Sequence, residues 1–191
     1  MKEAPAHAGD LQAARAEAFR LLAQGAADRR SAFHTPSLAT IGLDGAPRSR
    51  TLVLRGFDAA ARTIRLHSDA RSGKVAELAR DGRAALLGYD AGARIQLRLS
   101  GLASLHLGDN IAEAAWEATR PFSRLIYGIK PGPGMPVPAP PAAPQAAARE
   151  NFAVVLLRFD AMEWLWLASD GHRRAVFTWS DKQEEATWLV P

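Results

Sequence analysis

From Asp10 to about residue 30, apolar side chains return at helical spacing: Leu11, Ala14, Ala18, Leu21 and Leu22. Asp10 stands where an N-cap belongs, so the pattern predicts an amphipathic helix. Beyond residue 36 the period shortens to two. Segments 37–43, 47–57 and 62–68 read as short strands, separated by the turn signals Asp44-Gly45 and Asp58-Ala59-Ala60, and the first two form a predicted hairpin. Residues 72–81 predict a short helix closed by Asp81-Gly82. Strands 83–90 and 93–107 follow, joined by a turn containing Asp90 and Gly92. In the second of them Arg94, Gln96 and Arg98 alternate with Ile95, Leu97 and Leu99, giving one polar and one apolar face. Another helix is predicted over about 110–119, with Asn110 and Glu113 spaced as a capping pair and Pro121 ending it.

Residues 131–144 hold seven of the twelve prolines. Proline lacks a backbone donor and fixes φ, so this stretch can be neither helix nor interior strand. An extended, flexible Pro/Ala-rich loop is expected over 131–147. Strands at 152–159, 162–168 and 173–179, rich in Val, Leu, Phe and Trp, complete the pattern. No internal repeat interrupts it. The reading is a single α+β domain over 1–191, an antiparallel sheet curled into a barrel with a few helices at its margins.

The 191-residue length suits one domain, and 48% apolar with 23% charged residues is an ordinary globular balance. With no cysteine, disulfide scaffolds, thiolate nucleophiles and cysteine-ligated metal centres are excluded. The longest clean apolar run, Phe152 to Leu157, is too short to span a bilayer, and the first ten residues carry no apolar signal core. A cytoplasmic protein with no membrane partner is expected. The net charge of +4 comes mainly from arginines scattered along the chain, so charge alone does not separate a nucleic-acid binder from a protein that holds a small anion.

The positions say more. In His67-Ser-Asp-Ala-Arg-Ser-Gly-Lys74 a strand ends and a helix begins, gathering Arg71, Ser72 and Lys74 at the helix start. Backbone N–H groups, the positive end of a helix dipole, a hydroxyl and two cations are what a phosphate requires. A capped surface helix with solvated cations uses the same residues. The strand 47–55 carries Arg48 and Arg50 on one face with Arg55 at its far end, which fits either an anion site or an exposed edge strand. Gln96, with a donor and an acceptor, suits the rim of a heteroaromatic ring or plain solvent. The glycine signatures of dinucleotide, P-loop and serine-hydrolase sites are absent. The five histidines lack metal-ligand spacing, so no metal is expected, and the five tryptophans read as core or interface.

Taken in order, RTLVLR (50–55), HSDARSGK (67–74), IQLRLSG (95–101) and DGHRRAVF (170–177) resemble the pyridoxamine 5′-phosphate oxidase-like family of FMN-binding split-barrel proteins, more its FMN-binding related group than the vitamin enzyme proper. The resemblance covers most of 35–130 and 152–179. It implies an antiparallel split barrel, FMN as cofactor, and a homodimer with FMN at the interface. It places FMN contacts at Arg50, Thr51, Leu52, Val53, Arg55, His67, Ser68, Arg71, Ser72, Lys74, Gln96, Trp166 and Arg174. It offers Trp116, Arg120, Ser123 and His172 as substrate contacts, and it names no catalytic residue. The chain departs from the pattern in four places: Gly73 precedes the lysine where the family has arginine, Trp116 stands at a tyrosine position, TRPFSR (119–124) keeps only part of a substrate-phosphate segment, and GHRRAVF (171–177) stands where the family has its substrate-gripping RLHDR. The expected function is an FMN-dependent oxidoreductase acting on a small substrate. The alternatives are a true pyridoxamine or pyridoxine 5′-phosphate oxidase, a flavin-binding protein without turnover, a deazaflavin or haem protein of the same fold, and a nucleic-acid binder. Of these, no nucleic-acid partner is expected.

Overall fold

The computed structural model describes residues 5–180 and 183–191. Helix α1 (Leu11–Ala27) begins as its sequence requires, with the Asp10 carboxylate accepting from the Ala13 N–H at 2.7 Å. The strands are β1 (Ser37–Ile41), β2 (Pro47–Thr51), β3 (Leu54–Asp58), β4 (Thr63–Asp69), β5 (Arg83–Asp90), β6 (Ile95–His106), β7 (Phe152–Trp166), β8 (Arg173–Trp179) and β9 (Glu184–Leu189). Helices α2 (Gly73–Arg80), α3 (Asn110–Ala118) and the single turn α4 (Pro121–Arg124) lie between strands.

All strand pairs are antiparallel, in the order β2-β1-β5-β6-β7-β4-β3, with β8 and then β9 added beside β7. The two ends of that path, β2 and β3, are consecutive in the chain and separated only by Leu52 and Val53. Two residues bridge roughly 11 Å at most, so the sheet must curl until its ends nearly meet. It is not closed by hydrogen bonds, and the seam between β2 and β3 is the split in the barrel. Strand β7 is the spine. It pairs with β6 along most of its length, with β4 through residues 152–158, and with β8 through 161–166. A register shift opposite Ser100 and Gly101 marks the bend between the two halves. There Gly101 is required, because a Cβ would stand 2.1 Å from the Arg158 carbonyl oxygen.

The inward faces of β1 and β3–β7 supply Leu38, Leu54, Ile64, Leu66, Leu86, Leu97, Leu99, Leu157, Phe159 and Trp164, all essentially solvent-free. Ala14, Ala18, Leu21 and Leu22 of α1 join this core, so the helix packs its apolar stripe against the barrel interior. A second, smaller core joins Ala112, Ala115 and Trp116 of α3 to Tyr127, Phe152 and Val154. The start of β7 is therefore covered on both faces, which is why Phe152–Leu157 is continuously apolar.

Several expected boundaries move. The segment 47–57 is two strands broken at the seam, and 152–159 and 162–168 form one bent strand. The cap of α3 is Asp109, which accepts from the Ala112 N–H at 2.9 Å, rather than Asn110. Pro121 opens α4, where a missing N–H costs nothing, as well as following α3. Strand β9 was not anticipated; all its residues are exposed, so it carries no burial pattern. Residues 131–147 form no regular element.

Candidate functional site

Three groups of polar residues stand out, and most of the expected site residues are divided among them. The first is at the start of α2. The Ser68 hydroxyl, buried at the end of β4, is 3.1 Å from that of Ser72 and receives a hydrogen bond from Lys74 Nζ at 3.3 Å. Ser72 occupies the N-cap position, but its hydroxyl donates to the Asp69 carbonyl instead of capping the helix. The first-turn N–H groups thus have no side-chain cap. From the edge strand β2, Arg50 reaches Glu77 at 2.7 Å and also donates to Thr40. Arg71 pairs with Asp69 at 2.7 Å and donates to the carbonyls of Ile129 and Tyr127. With these two pairs neutral, Lys74 is the surplus charge: it makes no ion pair among the described residues. Burial, reinforced by the neighbouring Arg50 cation, holds its ammonium below the usual lysine range. A half-buried cation beside an uncapped helix start fits a phosphate group. Arg71, in contrast, ties down the segment that leads into the Pro-rich loop.

The second group lies on the outer face of the sheet. Gln96, Leu165 and Arg174 are direct cross-strand neighbours on β6, β7 and β8, so their side chains share that face. Arg174 is 3.0 Å from Glu163 through Nε, and Arg98 binds the same carboxylate. Burial alone would raise Glu163, yet the two guanidiniums hold it below the usual carboxylate range. Leu87 and Tyr89 flank Gln96 and Arg98 on β5 and are 43% and 45% exposed. Trp166 does not belong to this face. Alternation sends it inward with Met162 and Trp164, and its ring meets His7 edge-on at 5.8 Å. The residue of β7 beside Gln96 and Arg174 is Leu165.

The third group lines a cleft of about 510 Å³ between the end of α1, strands β3 and β4, and the α3–α4 region. It brings Arg55 and His67, expected as FMN contacts, together with the substrate candidates Arg120 and Ser123, along with Arg29, His34 and Arg65, to which no motif points. The His67 ring packs edge-on against Phe152 at 4.9 Å, and its buried Nε2 has no partner among the described residues. Burial, helped by the cations Arg55 and Arg65, lowers its pKa to about 4, so the imidazole is neutral at physiological pH.

Thr51 is exposed at the seam, where Leu52 and Val53 are partly buried and the Leu52 N–H donates to Pro36 O at 3.0 Å. Trp116 is shut away: Tyr127 and Phe152 pack on it, and Arg124 and Arg149 stand over its ring at 5.2 and 5.7 Å. It therefore cannot meet a substrate in this arrangement. His172 is exposed in the turn between β7 and β8, away from the cleft lining. A signal for Arg65 was available, since Thr63, Arg65, His67 and Asp69 share one face of β4; Arg29 and His34 arrive from distant turns that no local pattern links to the cleft. No cluster of metal-ligating groups occurs among the described residues, and no helix there is long and apolar enough to cross a membrane.

Comparison with known proteins bears on the family and the fold. The model of the pyridoxamine 5′-phosphate oxidase FMN-binding domain matches residues 16–107. Over 146 residues the chain is 30% identical to pyridoxine/pyridoxamine 5′-phosphate oxidase 2 of Arabidopsis thaliana, covering 70% of this chain and 73% of that one. A pyridoxamine 5′-phosphate oxidase-related, FMN-binding protein from Nostoc punctiforme superposes over the whole of both chains with a TM-score of 0.75 and 26% identity. PhzG from Burkholderia lata, solved with tetrahydrophenazine-1-carboxylic acid, matches equally well in fold (TM-score 0.75, 100% of this chain and 99% of that one) at 20% identity. The uncapped start of α2 with its surplus lysine suits the phosphate of the cofactor that this domain binds, FMN. The chain belongs to the pyridoxamine 5′-phosphate oxidase family of FMN-binding split-barrel proteins.

Proposed function

We propose that this protein is an FMN-dependent oxidoreductase whose small anionic substrate occupies the cleft between α1, β3–β4 and α3–α4. The observation that carries the reading is the convergence of Arg55, Arg120 and Ser123, from separate elements, beside a neutral His67 in one cavity. Neither arginine makes an ion pair among the described residues, so both guanidiniums are available to a phosphate or carboxylate, and Ser123 adds a hydroxyl. A neutral imidazole offers a hydrogen bond without adding to the positive charge. When bound, FMN supplies two-electron redox chemistry. The chain's own work is to bind and orient: Lys74 with Ser68 and Ser72 takes the cofactor phosphate beside the Arg50–Glu77 pair, the seam residues Thr51–Val53 run alongside, and Gln96 with Arg174 meets the flavin ring. A homodimer joined through the Leu87–Tyr89 face brings that last pair to the cofactor from the partner subunit.

The first test is titration of flavin-stripped protein with FMN and, in parallel, riboflavin. Tight FMN binding with weak riboflavin binding is expected, and Lys74→Ala weakens FMN by about 1.5–3 kcal/mol while leaving riboflavin nearly unchanged. Equal loss for both ligands would remove the α2 start from the phosphate site. Reduction and reoxidation of bound FMN by candidate substrates then separates an enzyme from a carrier. Pyridoxamine 5′-phosphate belongs in that assay because the Arabidopsis relative is named for it.

A further inference from the structure

Arg29 and Arg65 line the same cleft as Arg55, Arg120 and Ser123. Arg29 stands exposed in the turn after α1, and Arg65 is on β4, two residues before His67. The lining therefore holds four arginines and one acidic residue, Asp28. Asp28 is turned to its own neighbour, accepting from the Arg30 N–H at 2.9 Å and lying 3.4 Å from Arg30 Nε. None of the four arginines makes an ion pair among the described residues.

Arg65 is also held in place. Its Nη2 donates to the Arg55 carbonyl at 3.1 Å, and its guanidinium lies over Gly56, where a Cβ would come within 3.1 Å of Nε. That Nε is buried and has no hydrogen-bond partner. A fixed guanidinium with a buried, unsatisfied donor is costly unless another group takes the bond. One phosphate leaves two cations of the cleft unmatched, and a cavity of about 510 Å³ has room for more.

We propose that the substrate carries a second anionic group, a phosphate or a carboxylate, received by Arg65 and Arg29 of the same cleft. This rests on the reading of the cleft as the substrate site. A ligand with one charged end leaves these two arginines unmatched, and a ligand with two is selected by them.

The test is calorimetric titration of the FMN-loaded protein at constant ionic strength with three probes: orthophosphate, pyrophosphate and phosphonoacetate. At least one of the two-headed probes binds about tenfold or more tighter than orthophosphate, and which of them binds tighter distinguishes phosphate from carboxylate as the second group. Arg65→Gln and Arg29→Gln each remove most of that preference, leaving orthophosphate affinity and flavin content nearly unchanged. Arg29 is exposed outside any element, so its variant tests the subsite even if Arg65→Gln folds poorly. Orthophosphate binding with no preference in the wild type, or a preference that survives both substitutions, overturns the second subsite and leaves the proposed function standing. Failure of all three probes to bind overturns both.

Discussion

His67 shows how far a single side chain is governed by its surroundings. Its ring sits between Phe152 and two guanidiniums, so its protonated form is disfavoured in the folded protein, with a pKa of about 4. The unfolded chain titrates near 6.5, and between these values it takes up a proton that the folded chain refuses. Stability therefore falls as pH drops from about 6.5 to about 4, by at most about 3 kcal/mol, less whatever solvent screens. Urea unfolding in anion-free buffer across that range checks this, and His67→Phe, which keeps the packing, flattens the dependence. At this scale the sequence is legible where a local rule decides. The strict alternation in 94–99 places Gln96 outward, and the burial of Ile95, Leu97 and Leu99 agrees. It is misleading where a strand boundary is wrong. Once β7 is one strand, alternation turns Trp166 into the core and brings Leu165 beside Gln96. Trp116 is hidden for a different reason: the aromatic partners and arginines that enclose it come from α4, the segment after it, the turn just before β7, and the start of β7.

Among the elements, α3 offers a sharp distinction. Its N-cap is Asp109, whose carboxylate also receives His106 at 2.7 Å. Asp109→Ala is expected to cost about 1 kcal/mol in thermal or chemical unfolding, and Asn110→Ala only a few tenths. The reverse order would restore Asn110 as the cap. The spacing Asn110…Glu113 looks like a capping box, but Glu113 is taken by Arg149 at 2.6 Å, a residue 36 positions away. Strand β2 was equally easy to misjudge. Its arginines read as one continuous segment through residue 57, but the chain leaves one edge of the sheet at Thr51 and enters the other at Leu54. A long-range closure of this kind leaves no trace in a local pattern, although the residues that resemble the family's flavin-binding strand are the ones that form the seam.

For the whole molecule, the unpartnered sheet face is the feature that bears on assembly. Leu87, Tyr89 and Leu165 surround Gln96 there, next to the Arg98–Glu163–Arg174 network. If two copies pair through it, Leu87→Glu yields a monomer in sedimentation and weakens FMN binding at the same time. A variant that stays dimeric and keeps its flavin would move the interface elsewhere.

Strand β7 has a consequence for the order in which the protein is made. Three neighbours hydrogen-bond to it, yet it is preceded in the chain by some 150 residues. During synthesis β4 and β6 must wait with one edge unsatisfied until the first half of β7, residues 152–159, has left the ribosome, since only then can the two halves of the barrel be joined. The hairpins β1–β2 and β5–β6 are able to form early, but the structure that unites them cannot. Assembly is therefore nearly all-or-none and waits for β7, and a nascent chain stopped within the Pro-rich loop is a natural target for chaperones rather than a partly built barrel.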